Sequence, residues 1–291
     1  MFFVVGTGHC GTQWMSHVLT DSPTQLKCFH EYRNGYYKIN WKEGIRRHQT
    51  NGVSAFKEYF AFMDHHRALG WQMGDSNSWG ADNFVSSKKL QDMEGLVEVE
   101  KVLYLIRDGV LTVNSKVSHQ MKHASLQQLV QTAPGEFEKR KRSVLRWEEQ
   151  KGIKLPVNAE DLSLKDPQAL NYLTAIIPMI QWDKTYSEQS LAAAQQNLGD
   201  RLSVWSLEKL TTQVSVMQEL YELFEANKPE KEIKKLQKTD INQKIKNRKL
   251  ETISDSWSSE LKRLFVLICE ETMLYHGYQE SLATIKGDQD A

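Results

Sequence analysis

Phe2-Phe3-Val4-Val5-Gly6-Thr7-Gly8-His9-Cys10-Gly11-Thr12-Gln13-Trp14-Met15 is the stretch of sequence that decides the fold. An apolar run of strand-forming residues meets three glycines within six positions, and a segment with helical character then continues to about Leu19. A strand, a glycine-rich turn and a helix present consecutive backbone N–H groups at a helix N-terminus, where an anion is stabilised. The stretch therefore predicts a phosphate-binding loop.

The composition is typical of a soluble globular protein. The chain has 291 residues, of which 40% are hydrophobic and 25% are charged, and this length favours one large α/β domain over residues 1–291. The formal net charge is zero, so there is no general argument for a nucleic acid or an anionic membrane as partner. Two basic tracts, 139–142 and 228–249, are more simply interpreted as solvated surface than as functional patches.

Three widely separated cysteines, Cys10, Cys28 and Cys269, contain no CxxC pair and cannot form a disulfide framework. They favour a reducing compartment. The apolar N-terminus is short and lacks a basic leader, which argues against a signal peptide. No apolar run approaches the roughly 18 residues that a membrane span needs. We therefore expect a soluble, cytoplasmic protein.

Lys101–Ile106 is the clearest strand in the sequence. Its continuous apolar run is typical of a parallel strand that is covered on both faces. The run leads directly into Arg107-Asp108-Gly109 and then into a helical segment that contains Ser115, eight positions after Arg107. A guanidinium and a hydroxyl suit a phosphate if the two face one site. The alternative is that Arg107 pairs with Asp108 on the surface.

The remaining pattern is mostly helical. Helices are predicted over 41–69, 88–96, most of 119–197, 214–224 and 258–275. A short apolar stretch leads into a polar loop at 28–33, at the end of a strand, and a further strand is predicted over 201–207. We interpret roughly 116–197 as a helical insertion. The polar run 70–79 is interpreted as a second loop at a strand end, and 228–249 as a segment that is flexible or ordered by a ligand.

The loop departs from the phosphate loop of nucleotide triphosphatases, G-x-x-x-x-G-K-[ST]. Gly6 and Gly11 have the required spacing, but Thr12 stands in the lysine position and Gln13 in the hydroxyl position. Without these two groups, ATP hydrolysis loses its main electrostatic contributions. The loop therefore fits anion binding and argues against an ATPase.

Four segments together resemble the PAPS-dependent sulfotransferases. Residues 6–14 resemble the family's 5′-phosphosulfate loop, G-x-x-[RK]-[SC]-G-T-[ST], and 102–115 resemble its 3′-phosphate motif, a buried strand that ends in R-D-[PG] with a serine eight positions after the arginine. The segment 205–210 is similar to the family's late R-Y-E-D-L, and an ending in Gly277-Tyr278 after a helix is also common there. The resemblance covers both ends of the chain and the middle strand.

The resemblance implies a three-layer, P-loop-type parallel sheet flanked by helices, with the helical insertion covering the cleft. It implies PAPS as sulfuryl donor, with no metal, and Arg107 and Ser115 as ligands of the 3′-phosphate. The groups from Cys10 to Gln13 would hold the 5′-phosphosulfate. The full set of donor-binding residues that the resemblance implies is Gly8, His9, Cys10, Gly11, Thr12, Gln13, Trp14, Arg107 and Ser115.

The catalytic candidates are His9, Glu31 and His30. The family normally has Lys or Arg at the position of His9, and we hypothesise that His9 donates a proton or a hydrogen bond to the leaving phosphate. Related enzymes often carry an H-E pair after the first helix, so Glu31 is the first candidate for the general base and His30 the second. Asp75 is a weaker candidate, and the pair His119 and His123 is more simply helix surface.

Two other classes remain open at this point. One is a P-loop phosphotransferase, against which the missing lysine argues, and the other is a non-catalytic nucleotide-binding scaffold, which His9 favours. The acceptor of a sulfotransferase would be a hydroxyl or an amine. Carbohydrate, lipid, small metabolite and peptide acceptors are equally compatible with the sequence.

Overall fold

The protein is an α/β structure with a five-stranded parallel sheet flanked by helices. The computed structural model describes residues 2–7, 9–20, 25–29, 68–73, 84–95, 98–122, 135–239 and 250–287. The predicted α/β class, with a parallel sheet and flanking helices, is confirmed.

The elements are numbered along the described residues. The strands are β1 Phe2–Val5, β2 Leu26–Phe29, β3 Ala68–Met73, β4 Lys101–Ile106 and β5 Leu202–Ser206. The helices are α1 Thr12–Val18, α2 Ser87–Glu94, α3 Gly109–Lys122, α4 Gly135–Lys151, α5 Pro167–Tyr186, α6 Glu188–Leu198, α7 Leu207–Thr212, α8 Val214–Glu222, α9 Glu230–Gln237, α10 Leu250–Ser256, α11 Ser259–Tyr275 and α12 Gln279–Lys286. Short 3₁₀ turns lie at Ala159–Asp161 and Gly199–Arg201.

The strand order is β2-β3-β1-β4-β5, and every neighbouring pair is parallel. β1 is central, and the chain adds β2 and β3 on one side of it and β4 and β5 on the other. In the register of β1 and β4, Val5 pairs with Tyr104. Ligands of open α/β sheets bind outside the carboxyl ends of the strands, where the order reverses. The loops that follow β1 and β4 therefore meet at the expected position for a ligand.

Both faces of the central strands are buried, which explains their continuous apolar sequence. One face packs against α1 and α8, and the phenol of Tyr221 on α8 donates a hydrogen bond to the carbonyl of Val18 at 2.9 Å. On the other face, the rings of Phe3 and Phe84 lie 5.9 Å apart. The apolar cluster between the sheet, α1 and α8 includes Phe2, Val4, Trp14, Met15, Val18, Leu103, Leu105, Met217, Leu220, Tyr221, Phe224 and Ile233.

The chain divides into two compact units. The first consists of 1–107 and 189–243 and contains the sheet, and the second consists of 108–188 and 244–291 and is helical in its described part. The single domain over 1–291, and an insertion that covers the cleft, stay predictions. No helix within the described ranges is both long enough and apolar enough to cross a membrane.

The second unit contains a fully buried carboxylate that binds several side chains. Asp183 on α5 is fully buried and accepts hydrogen bonds from the Trp147 indole at 2.8 Å and the Thr272 hydroxyl at 2.6 Å. The ammonium of Lys151 lies 3.4 Å from the same carboxylate. Burial lowers the pKa of Lys151, but Asp183 and Glu271 outweigh it, so the pKa is raised overall. This network joins α4, α5 and α11.

Two predictions about local structure are wrong. Residues 68 and 69 were predicted to end a helix and 70–79 to form a loop, but Ala68–Met73 is strand β3. Its main chain pairs with β2 on one side and β1 on the other, and this pairing overrides the local pattern. The earlier part of that predicted helix, 41–67, and the rest of the predicted loop, 74–79, lie outside the described residues.

The interpretation of 228–249 as a segment that is flexible or ordered by a ligand is wrong for its first part. Within 228–249, residues Glu230–Gln237 form helix α9, whose Ile233 is fully buried. Lys228 is also buried, with its ammonium 5.6 Å from the centre of the Tyr221 ring and 3.3 Å from the Glu232 carboxylate. The buried isoleucine and the paired lysine both anchor this part of the tract. Residues 240–249 lie outside the described part of the chain.

Candidate anion-binding loop at the end of the first strand

The glycine-rich stretch forms a tight loop between β1 and α1. The N–H of Cys10 donates to the carbonyl of Thr7 at 3.2 Å, which closes a turn. Gly11 is the N-cap of α1, and its carbonyl accepts from the N–H of Met15 at 2.9 Å. The predicted order of strand, turn and helix is confirmed. The first N–H groups of a helix have no partner within the helix, so this loop presents donors.

Two residues of the loop have left-handed backbone conformations. Gly11 has a φ of 85°, and His9 has a φ of 71°. This region is uncommon for residues other than glycine, although histidine is one of the more frequent exceptions. Such a conformation persists where the surroundings fix it, and such residues often lie at functional sites. The structural neighbours of His9 and Gly11 are therefore part of the candidate site.

Gly11 packs directly against Leu207, the first residue of α7. A Cβ atom on Gly11 would lie 2.6 Å from Cδ2 and 2.7 Å from Cδ1 of Leu207. A side chain at this position would therefore be strained by φ and would displace Leu207. The end of β5 and the start of α7, which resemble the family's late segment, thus contact the loop.

Arg107 binds the loop from the end of β4. Its Nη1 donates a hydrogen bond to the carbonyl oxygen of His9 at 2.9 Å, across 98 positions of sequence. The parallel pairing of β1 and β4 makes this contact possible, because both loops leave the same edge of the sheet. The structure therefore brings together two segments that the sequence analysis singled out separately.

The first turn of α1 is supported by α9. The indole N–H of Trp14 donates to the carbonyl of Leu236 at 3.3 Å, and Trp14 is 6% exposed. The hydroxyl of Ser16 donates to the carbonyl of Gln13 at 2.9 Å. These contacts fix the beginning of the helix that follows the loop.

The predicted donor-binding residues are placed as follows. The loop and the start of α1 contain the described residues His9, Cys10, Gly11, Thr12, Gln13 and Trp14, with Arg107 beside them. Cys10 is fully buried, and its side chain belongs to the apolar cluster that also contains Trp14 and Met15. Ser115 lies on α3 in the second unit and is 4% exposed.

The other predicted residues cannot be placed. Gly8, His30 and Glu31 lie outside the described residues, as do Asp75 and His123. The roles assigned to all site residues therefore stay predictions.

Sequence reasoning missed two contacts of the loop. Arg107 was paired with Ser115 or Asp108 but not with His9, and Leu207 was not singled out as a neighbour of Gly11. The only signal for either contact is the strand order, which places the ends of β1, β4 and β5 side by side. The order of the strands in the sheet differs from their order along the chain, so it could not be predicted from this sequence alone.

The donors of this arrangement suit an anionic ligand. Main-chain N–H groups and a guanidinium are donors with partial or full positive charge, and both stabilise phosphate or sulfate. In the part of the chain that the structure describes, no three His, Cys, Asp or Glu side chains form a group that could hold a metal ion.

No family model matches the chain, and no curated protein matches it. Among solved structures, the chain is similar to a sulfotransferase from Alicyclobacillus acidocaldarius, with 12% identity over 94% of each chain and a TM-score of 0.42. A likeness at this level assigns neither fold nor function.

Proposed function

We propose that this protein is a sulfotransferase that moves a sulfuryl group from PAPS to a hydroxyl or amine acceptor and releases adenosine 3′,5′-bisphosphate. The observation that carries the proposal is the hydrogen bond from Arg107 to the carbonyl of His9. It joins the segment that resembles a 5′-phosphosulfate loop to the segment that resembles a 3′-phosphate motif. A donor with phosphates at both ends of its ribose would engage both segments.

The loop chemistry supports this donor over ATP. Thr12 and Gln13 stand where a triphosphatase has its lysine and its metal-binding hydroxyl. The loop would therefore bind its anion through main-chain donors of the stretch from Cys10 to Gln13, in which the N–H of Cys10 also donates to the carbonyl of Thr7. In the proposed complex, Arg107 and Ser115 bind the 3′-phosphate, for which a planar fork of donors and a hydroxyl are suited.

The proposed reaction is an in-line displacement at sulfur. The acceptor oxygen or nitrogen forms a bond to sulfur while the bond between sulfur and the bridging phosphate oxygen breaks. Glu31, or His30 in its place, takes the acceptor proton, a contribution of roughly 10²–10⁴-fold in general base catalysis. His9 donates a proton or a hydrogen bond to the leaving phosphate.

The role of His9 is testable by a fixed cation. His9→Arg replaces the imidazole with a donor that is always charged. Above neutral pH, where histidine is largely neutral, the variant should therefore retain or raise the turnover. Turnover would be measured against pH for both proteins. A complete loss of turnover in a variant that still binds the bisphosphate would remove this role.

The base is tested separately. We expect Glu31→Gln to lower the turnover number by about 10²-fold or more and His30→Ala to have a smaller effect. Unchanged rates in both variants would remove the assignment of the base to this pair.

One experiment tests the function as a whole. PAPS labelled in its sulfuryl group is incubated with the protein and a panel of carbohydrate, lipid, small-metabolite and peptide acceptors, and labelled product is counted. Transfer to any acceptor supports the proposal. Binding of the bisphosphate without transfer to any of them would favour a scaffold. The three cysteines are buried and outside any disulfide, which fits a reducing compartment, and we propose the cytoplasm as the location of the protein.

A further inference from the structure

We propose that Arg107 is a positioning residue for the phosphate-binding loop, in addition to its proposed contact with the 3′-phosphate. This inference rests on the proposed function and goes beyond it. It states that the affinity for the 5′ end of the donor depends on Arg107, although the 3′-phosphate motif contains this residue. The hydrogen bond between Nη1 of Arg107 and the carbonyl of His9, at 2.9 Å, is its basis.

The carbonyl that accepts this hydrogen bond belongs to a residue with an uncommon backbone conformation. His9 has a φ of 71°, and Gly11, two positions later, has a φ of 85°. The directions of the N–H groups in the loop depend on these two left-handed residues. A hydrogen bond from a charged donor is about twice as strong as one between neutral groups. The guanidinium therefore holds the His9 peptide in the orientation that the loop requires.

Arg107 is well placed to provide rigid support. It follows β4 directly, and the preceding Leu105 and Ile106 are buried at 0% and 3% exposure. β4 is also paired on both sides, with β1 and with β5. The Cα atom of Arg107 is thus fixed by the sheet. The sheet therefore holds the loop in place through the hydrogen bond from Arg107 to His9.

A guanidinium can serve both partners at the same time. It has five N–H donors in a fixed plane, so one can bind a carbonyl while others bind a phosphate. A 3′-phosphate that orders this side chain would also order the loop that binds the 5′ end. Because coupling between two binding sites is reciprocal, an occupied loop would likewise favour 3′-phosphate binding.

The test uses a ligand without a 3′-phosphate. We expect Arg107→Ala to weaken the binding of AMP by about tenfold or more, the loss of a hydrogen bond from a charged donor. Ser115→Ala should weaken adenosine 3′,5′-bisphosphate and not AMP, because its proposed contact is only with the 3′-phosphate. Arg146→Ala, which removes an exposed arginine of α4, is the matched control. Affinities would be measured by titration calorimetry.

Two readouts separate positioning from a general loss of structure. Methylguanidinium added to Arg107→Ala should recover part of the AMP affinity and should have no effect on Arg146→Ala. In the ligand-free protein, the amide resonances of Cys10 and Gly11 should shift in Arg107→Ala, while the thermal midpoint changes little.

The two proposals fail in different ways. Wild-type affinity for AMP in Arg107→Ala, or unshifted Cys10 and Gly11 resonances, would overturn the positioning role and leave the sulfotransferase proposal intact. A wild-type protein that binds no bisphosphate would overturn the proposed function. In that case the ligand-free resonances still decide whether Arg107 positions the loop.

Discussion

Gly11 is the residue whose replacement most directly disturbs the loop. Its φ of 85° costs a residue with a side chain roughly 1–2 kcal/mol, and a Cβ would also meet Leu207 at 2.6 Å. We expect Gly11→Ala to lower the affinity for adenosine 3′,5′-bisphosphate about tenfold, because the unbound loop of the variant would relax to an unstrained conformation. Restoring the binding conformation at a cost of about 1.4 kcal/mol corresponds to that factor. Calorimetric titration of the variant measures it.

The control for this prediction is Gly152→Ala. Gly152 also has a left-handed φ, 66°, but nothing lies within 4 Å of the position of its Cβ. This variant should lose stability through the backbone alone and bind the bisphosphate like the wild type. Equal affinities for Gly11→Ala and Gly152→Ala would contradict the importance of the loop conformation.

We expect His276 to make the stability of the protein depend on pH. Burial lowers its pKa from the ordinary value of 6.5, against an opposing hydrogen bond to the carbonyl of Tyr186 at 2.7 Å. The unfolded chain therefore binds more protons than the folded chain between the lowered value and 6.5. Its contribution to stability is present above that ordinary value and is lost as pH falls toward the lowered pKa.

The measurement is urea unfolding of the wild type and His276→Gln between about pH 7 and about pH 5, the range in which histidine titrates. The free energy of unfolding of the wild type should fall more steeply with decreasing pH than that of the variant. A difference between the two proteins that does not change with pH would contradict the assignment.

At the residue scale, chemistry was more predictable than conformation. The spacing of Gly6 and Gly11 and the missing lysine at Thr12 indicated an anion-binding loop without ATPase chemistry. The left-handed φ of His9 and its contact with Arg107 were not predictable. Both depend on which strands become neighbours, and the two residues lie 98 positions apart.

Helix α9 buries one side chain completely. Ile233 is its only fully buried residue within Glu230–Gln237, and Leu236 accepts the hydrogen bond from Trp14 on α1. We expect Ile233→Ala to lower the free energy of unfolding by about 2–5 kcal/mol, because a cavity replaces a packed side chain. Chemical denaturation measures this loss.

The exposed Lys231 on the same helix provides a control, since Lys231→Ala should be neutral within about 0.5 kcal/mol. A loss below about 0.5 kcal/mol for Ile233→Ala would mean that α9 is not anchored as described.

At the element scale, a strand with a continuous apolar sequence was predictable, and a strand that only its pairing defines was not. β4 was predicted with its observed bounds, because its sequence is apolar throughout. β3, Ala68–Met73, contains a glycine and a glutamine and follows a helical pattern, so only its pairing with β1 and β2 defines it. α9 was missed for the opposite reason, since one isoleucine is a weak pattern in a basic segment.

At the scale of the molecule, both units bury their cysteines. Cys10 and Cys28 lie in the first unit and Cys269 in the second, and all three are buried and outside any disulfide. Burial raises the pKa of the Cys269 thiol well above its ordinary value, with Asp183 adding to the effect and Lys151 opposing it. Because the thiolate is the reactive form, Cys269 should be inert in the folded protein.

Titration with a chromogenic disulfide reagent checks this burial. The native protein should release almost no colour in the time in which the urea-unfolded protein reacts at Cys10, Cys28 and Cys269. Rapid reaction of a native thiol would show that one of these residues is accessible. Variants with single Cys→Ser replacements would identify which one it is.

The division into two units also limits what the sequence could predict about the site. The loop, Arg107 and Leu207 belong to the first unit, so their contacts follow from the sheet. Ser115 belongs to the second unit, and its proposed role rests on its spacing from Arg107. In the proposed sulfotransferase, acceptor specificity would depend on segments whose sequence has no diagnostic pattern.

The most direct test of the account is a metal-free calorimetric titration of the wild-type protein with adenosine 3′,5′-bisphosphate, beside a titration with ATP and Mg²⁺. A loop without the P-loop lysine, joined to Arg107, predicts binding of the bisphosphate without metal and much weaker binding of ATP with Mg²⁺. Preferential binding of ATP with Mg²⁺ would contradict the sulfotransferase proposal and favour a phosphotransferase.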